Sequence, residues 1–373
     1  SASESSFTRS QCWVRMIERA ELLHTQPYHN QHTTRRGLHS LLGHGASSKL
    51  MRFTMTEQSP FLVQVNQAFN VPAPDAFVLE GFSADTTHPN IPVRKDEYVF
   101  RKEDLRDVLA FLSNPDGDGL YITGPTGCGK TSLICQVASR LNWPVQQITA
   151  HGRLELSDLI GHHTLVNGNM TFVYGPLAMA VKHGHLLIIN EMDLAEPAEL
   201  AGLNDILEGA PLVIAQNGGE IIIPHNKFRF IATGNSAGSG DQTGLYQGVL
   251  QQNLAFLDRF RIIEATYAEP SVEEAILENV APGLPEVFRQ KMVKVAGDIR
   301  RLFIGGADGG AELSITMSTR TLVRWAKLTL AFKGAPNAVE YALVRSLTAR
   351  AELEQREAIH RIAADVFGDH WED

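Results

Sequence analysis

Between Leu120 and Leu141 the chain reads LYIT, GPTGCGKT and SLICQVASRL in succession. An apolar run of strand length leads into a glycine-rich loop, and the loop leads into an apolar helix. Few patterns restrict a fold as much. Residues Gly124–Thr131 fit G-x-x-x-x-G-K-[ST], a phosphate-binding loop, and the strand before and helix after are the context that separates such a loop from a chance match. Gly124, Gly127 and Gly129 allow the backbone to turn tightly and aim N–H groups at phosphate oxygens, with Pro125, Thr126, Cys128 and Ser132 completing the cradle. The first turn of the next helix adds the positive end of its dipole. Lys130 is spaced to reach the β- and γ-phosphates, and Thr131 to ligate Mg²⁺ through its hydroxyl.

Composition narrows what surrounds this loop. A chain of 373 residues, 43% hydrophobic, can bury one large core or two moderate ones. No run approaches the roughly 18 apolar residues of a membrane span, so a soluble protein is expected. Cys12, Cys128 and Cys135 show no metal or disulfide spacing, which suits a reducing, cytoplasmic interior. Cys128 reads either as a small residue that fits the loop or as a thiol activated by the helix N-terminus. The net charge is −9, and residues 57–373 carry 26 Lys/Arg against 39 Asp/Glu. A body that acidic disfavours nucleic acid as a partner.

Four regions are expected along the chain. Residues 1–60 lack a sustained apolar period and read as a disordered leader, or as sequence upstream of a start at Met51 or Met55. Within them RRGLHSLLGHG faintly resembles a targeting peptide. Five of the fourteen histidines fall here (His24, His29, His32, His39, His44), at spacings too irregular for a metal site. Residues 61–118 form an approach segment that Pro72, Pro74, Pro89 and Pro92 keep extended. It closes with a helix that places Leu105, Val108, Leu109 and Leu112 on one face.

Residues 119–267 alternate strand and helix, which indicates an α/β fold with a parallel sheet and ligands gathered at the strands' carboxyl ends. Two hairpins interrupt the alternation, one around Asn167-Gly168 and one around Asn217-Gly218-Gly219. A single helix is expected over ELAGLNDILEG, residues 199–209. Residues 268–373 read as helices with a flexible break at IGGADGG, residues 304–310. Trp325 and Phe332 read as core aromatics.

The strand LLII ends on Asn190-Glu191, where phosphate-hydrolysing P-loop proteins usually carry Asp-Glu. An asparagine carbonyl can still accept a hydrogen bond from a metal-bound water. It removes a unit of negative charge, so weaker Mg²⁺ binding and impaired but real hydrolysis are expected. Glu191 is retained, and Asp193 stands two residues on, where it can supply charge.

The order GPTGCGKT, LLIINE, FIATGN, LDRF and STRT resembles AAA+ ATPases of the MoxR type. Within them, the segment from Phe228 to Phe260 and VASRLNWP are similar to the ATPase subunit of cobaltochelatase, with the CbbQ and NorQ group nearby. The resemblance covers roughly residues 95–335. It implies ATP and Mg²⁺ as cofactors, a magnesium site at Thr131 and Asn190, and Glu191 as the base that polarises water. It further implies Asn235 as the first sensor, Arg259 as an arginine finger acting in a neighbouring subunit, and Arg320 as the second sensor. It assigns Lys130 to the catalytic set as well. By the same resemblance the hairpins line the pore of a hexameric ring, though edge decorations remain the other reading. The helical C-terminal region becomes a lid, and a partner with a von Willebrand A-type domain is implied. On that basis the chain is expected to be a remodelling motor on a client protein or metal-insertion enzyme. A nucleotide-gated scaffold that binds ATP with little turnover is the alternative.

Overall fold

The computed structural model describes residues 61–83, 87–238, 240, 248–304 and 313–371. The expectations for residues 1–60 and for the break at 305–310 lie outside these. An element not anticipated opens the fold. Strand β1 (Phe61–Gln64) pairs antiparallel with β2 (Val78–Gly81), and the helix Val65–Phe69 links them. Val65, Phe69 and Leu79 are buried in the same core as the helix Lys102–Ser113, so this ribbon is held by packing and not by its own four-residue ladder.

Strands β3 (Gly119–Thr123) and β4 (Val145–Thr149) flank the helix Lys130–Arg140. β5 (Gly161–Val166) and β6 (Asn169–Tyr174) form the first hairpin, and the helix Pro176–His183 leads to β7 (Leu186–Asn190). β8 (Leu212–Ile214) and β9 (Glu220–Ile222) form the second hairpin, followed by β10 (Arg229–Gly234) and β11 (Phe260–Glu264). The main sheet has the order β11-β3-β10-β7-β4, and every neighbouring pair is parallel. Its central strands are buried on both faces, as parallel strands between helices must be. Leu120 and Ile122 enter one core with Leu186, Ile188 and Ile231, while Tyr121, Leu187, Ile189 and Phe230 enter the other. At the β4 edge the extended approach segment closes the sheet, with Val145 N–H donating to the Asn90 carbonyl at 2.9 Å.

One local expectation needs correction. The helix expected over 199–209 breaks into Pro197–Ala201 and Asn204–Leu207. At the break Gly202 packs against Leu156, and a Cβ there would lie 2.6 Å from Leu156 Cδ2. Arg259 immediately precedes a sheet strand, since β11 starts at Phe260. As an edge strand β11 alternates exposed with covered positions, so it lacks the continuous apolar run of its neighbours.

The helices Pro270–Val280, Glu286–Ile304, Thr319–Ala331, Ala338–Ser346 and Leu353–Phe367 share a core of their own that includes Leu277, Ile299, Leu343 and Ile359. Trp325 is buried there and its indole N–H donates to the Val339 carbonyl at 2.9 Å, while Phe332 packs edge-on against Tyr341. Among the described residues no helix is long and apolar enough to cross a membrane.

Candidate nucleotide-binding site

Parallel pairing brings the carboxyl ends of β3, β10 and β7 side by side, and Lys130, Thr131, Asn190, Glu191 and Asn235 gather there. Gly124 leaves β3 with φ +142, and a Cβ on it would lie 1.9 Å from the Ala265 carbonyl oxygen. Gly127, with φ +72, lies under Ser318, whose Cβ would be 2.5 Å from an added Cβ. The loop is therefore closed on one side by the segment after β11 and on the other by the residue that caps the helix Thr319–Ala331. Thr126 is exposed, and its carbonyl accepts a hydrogen bond from Tyr267 Oη at 3.1 Å. Ser132 lies exposed on the first turn after the loop.

Lys130 Nζ donates to the carbonyls of Gly124 (2.6 Å) and Pro125 (3.1 Å) and to Asn235 Oδ1 (3.1 Å). Thr131 Oγ1 donates to Asn190 Oδ1 at 2.6 Å. Thr233 Oγ1 approaches the same amide oxygen at 3.3 Å and accepts from the Glu191 N–H at 3.3 Å. The Asn190 amide nitrogen points away, toward the Ile148 carbonyl at 3.4 Å. Asn190 thus turns its oxygen toward Thr131. Glu191 is exposed in a left-handed conformation, φ 53 and ψ 42, which a non-glycine residue adopts only where the surroundings enforce it.

Burial pushes the Lys130 ammonium below its ordinary pKa; Cys128, Asp193 and Glu191 act against that, and Arg320 adds to it. Burial also pushes the Cys128 thiol up, away from the reactive thiolate. That favours the reading of Cys128 as a small residue that fits.

The two expected arginines lie on opposite sides of this centre. Arg320, exposed on the first turn of the helix Thr319–Ala331, stands two residues past Ser318 and therefore beside the loop. Arg259 lies at the amino end of β11, and its carbonyl accepts from the Gly119 N–H at 2.8 Å. It is one strand length, roughly 15 Å, from its own loop. Its guanidinium pairs with Glu208, with Nε 3.0 Å from Oε1. An open cleft of about 600 Å³ adjoins it, lined by residues that include Leu254, Asp258 and Ile262.

Several contacts lay beyond the sequence reading. Thr233, a hydroxyl inside an otherwise apolar strand, was a visible signal that went unused. Tyr267 contacts the loop through Thr126, and the Arg300 guanidinium lies 4.2 Å from its ring centroid. Arg300 in turn makes a buried two-point pair with Glu273 at 2.7 and 2.8 Å. Nothing local in the sequence announces that chain of contacts.

The hairpins expose Leu165, Met170, Val213 and Ile221. The tip of the second is fastened to the base of the first: Tyr174 Oη donates to Glu220 at 2.8 Å, and Lys182 Nζ lies 3.1 Å from the same carboxylate.

Strand order, glycine loop and polar strand ends together define a P-loop nucleotide site of the AAA class. Residues 119–260 match the AAA domain (dynein-related subfamily), and residues 273–366 match the CbbQ/NirQ/NorQ C-terminal family. The aerobic cobaltochelatase subunit CobS of Sinorhizobium sp is 31% identical over 246 residues, covering 64% of this chain and 72% of its own. Protein NorQ of Paracoccus denitrificans is 29% identical over 250 residues, covering 67% and 86% respectively. A solved RuvB mutant of Thermotoga maritima aligns with a TM-score of 0.44 at 14% identity, over 72% of this chain and 73% of that one. The chain belongs to the AAA+ ATPases of the CobS, NorQ and CbbQ group.

Proposed function

We propose that the protein is a Mg²⁺-dependent ATPase that works as a ring, six copies in our reading, and remodels a client. Division into a nucleotide-binding core, residues 119–267, and a helical lid, residues 268–373, belongs to the same proposal. The observation that carries it is the convergence of Lys130, Thr131, Asn190 and Asn235 at adjoining strand ends, with Glu191 exposed beside them. Cytoplasmic location, a partner with a von Willebrand A-type domain and a client resembling those of CobS or NorQ rest on the family resemblance.

Magnesium fits the donors present. A hydroxyl and an amide carbonyl, 2.6 Å apart, are hard oxygen ligands. ATP phosphates and water would complete the shell. Thr131 and Asn190 would hold the ion, which when bound spreads the charge of the phosphoryl group in transfer. The chain's own residues do the rest. Loop N–H groups hold the phosphates, and Lys130 exchanges the Gly124 and Pro125 carbonyls for phosphate oxygens. A water attacks the γ-phosphorus, Glu191 takes its proton, and the bond to the bridging oxygen breaks to release ADP. Asn235 orients that water, and Arg320 meets the phosphates from the lid side. Arg259 is too far from its own site, so it serves a neighbour, exchanging Glu208 for a phosphate oxygen. An arginine so placed is worth about 10³–10⁵ in rate.

Mixing two inactive variants tests the arrangement. Glu191→Gln lacks the base and Arg259→Ala lacks the finger, so each alone should release almost no phosphate. Mixed rings contain sites that join an intact Glu191 to a neighbour's intact Arg259, and turnover should return. Arg259→Ala turning over at the wild-type rate by itself would contradict the proposal. The scaffold reading, favoured by the neutral amide at 190, predicts that wild type is as slow as either variant.

A further inference from the structure

Asp193 is a buried carboxylate that the mechanism above leaves unused and that, unlike Glu273, has no arginine beside it among the described residues. It is fully buried in the turn Met192–Leu194 that follows Glu191. Its Oδ2 accepts three hydrogen bonds from one turn of chain: Asn235 N–H at 2.8 Å, Ser236 N–H at 3.0 Å and Ser236 Oγ at 3.4 Å. From the other side Tyr121 Oη donates to the Ser236 carbonyl at 2.6 Å. The turn that carries Asn235 is therefore gripped at both its donors and its acceptor. A Cβ at Gly234 would lie 2.0 Å from Tyr121 Oη and 3.0 Å from Asp193 Oδ2, so no larger residue fits between the two.

The second oxygen, Oδ1, is buried and has no hydrogen-bond partner among the described residues. Packing alone does not account for that, because a carboxylate oxygen shut away without a donor is destabilising. The charge is retained where Asn235 meets Lys130, and where the neighbouring strand end carries Asn190 in place of a carboxylate.

We propose that Asp193 is a positioning residue for ATP turnover: it fixes the Asn235 turn against Lys130, and it supplies from inside the fold the negative charge that Asn190 lacks. This rests on the hydrolysis reading above. The two roles separate by substitution. Asp193→Asn keeps an oxygen to accept from the 235–236 N–H groups but removes the charge, whereas Asp193→Ala removes both. The double variant Asn190→Asp/Asp193→Asn moves the charge to the neighbouring strand end.

The test uses the full chain, assembled, and measures kcat, the Kd of ATP and Tm for wild type, these three variants and Glu191→Gln. Asp193→Asn should lower kcat about tenfold, the scale of one neighbouring charge at a partly wet site. Its ATP Kd and Tm should stay close to wild type, and the double variant should recover most of the lost kcat. Asp193→Ala should lose kcat further and lower Tm. Wild-type kcat in Asp193→Asn overturns the proposal, as does a loss that only follows Kd and Tm. Failure of the double variant to recover kcat overturns the charge role. Wild type as inactive as Glu191→Gln overturns the hydrolysis reading and this proposal together, a result distinct from the others because it needs no Asp193 variant.

Discussion

At the scale of single residues, the environment of a side chain decides its chemistry, and His185 shows this away from the nucleotide. It is buried at the start of β7 and pushed down to about 4 by burial, with His88, His183 and His225 acting in the same direction. Asn90 donates to Gln146 Oε1 at 3.1 Å, which orients the Gln146 amide so that its nitrogen donates to His185 Nδ1 at 3.0 Å. That ring nitrogen must stay unprotonated. An unfolded histidine titrates near 6.5, so from about pH 6.5 down to 4 the unfolded chain takes up a proton that the folded chain refuses. The stability is whole above that window and is lost through it, by on the order of 3 kcal/mol. His185→Gln should flatten the fall in Tm between pH 7.5 and 5, and an unchanged slope would contradict this origin. None of that was legible in the sequence, where His185 is only the polar residue before LLII. Asn190 was legible as a departure, but which amide atom it turns toward Thr131 depends on Ile148, 42 residues away in the chain.

At the scale of elements, local signals carried most of the reading. The period of KEDLRDVLAFL, the Asn-Gly turns and the apolar runs of β3, β7 and β10 each became the expected helix, hairpin or strand. What failed was non-local. The ribbon of β1 and β2 exists because it packs on the helix Lys102–Ser113, and the fastening between the hairpins joins residues 46 apart in the chain. Tyr174 and Lys182 hold the Glu220 carboxyl below its usual range. That link ties the second hairpin to the base of the first. Glu220→Ala should speed amide hydrogen exchange in residues 212–222 and also in 172–174. Faster exchange confined to 212–222 would show that the hairpins are independent.

Across the whole molecule, the fold explains why the site could be read and its links to the C-terminal helices could not. Loop and polar strand ends lie in motifs whose spacing survives in one dimension. The route from Thr126 through Tyr267 and Arg300 to Glu273 crosses from the sheet to the C-terminal helices by single side chains that no motif marks. We propose that Asn190 leaves a working but magnesium-hungry ATPase with Glu191 as its base. Phosphate release across a Mg²⁺ titration, on assembled wild type, Asn190→Asp and Glu191→Gln, tests it most directly. Restoring the carboxylate should lower the Mg²⁺ needed for half-maximal turnover about fivefold, close to 1 kcal/mol for a charge at a partly wet site. Glu191→Gln should bind ATP and release no phosphate. Wild type no faster than Glu191→Gln at saturating Mg²⁺ would contradict the claim.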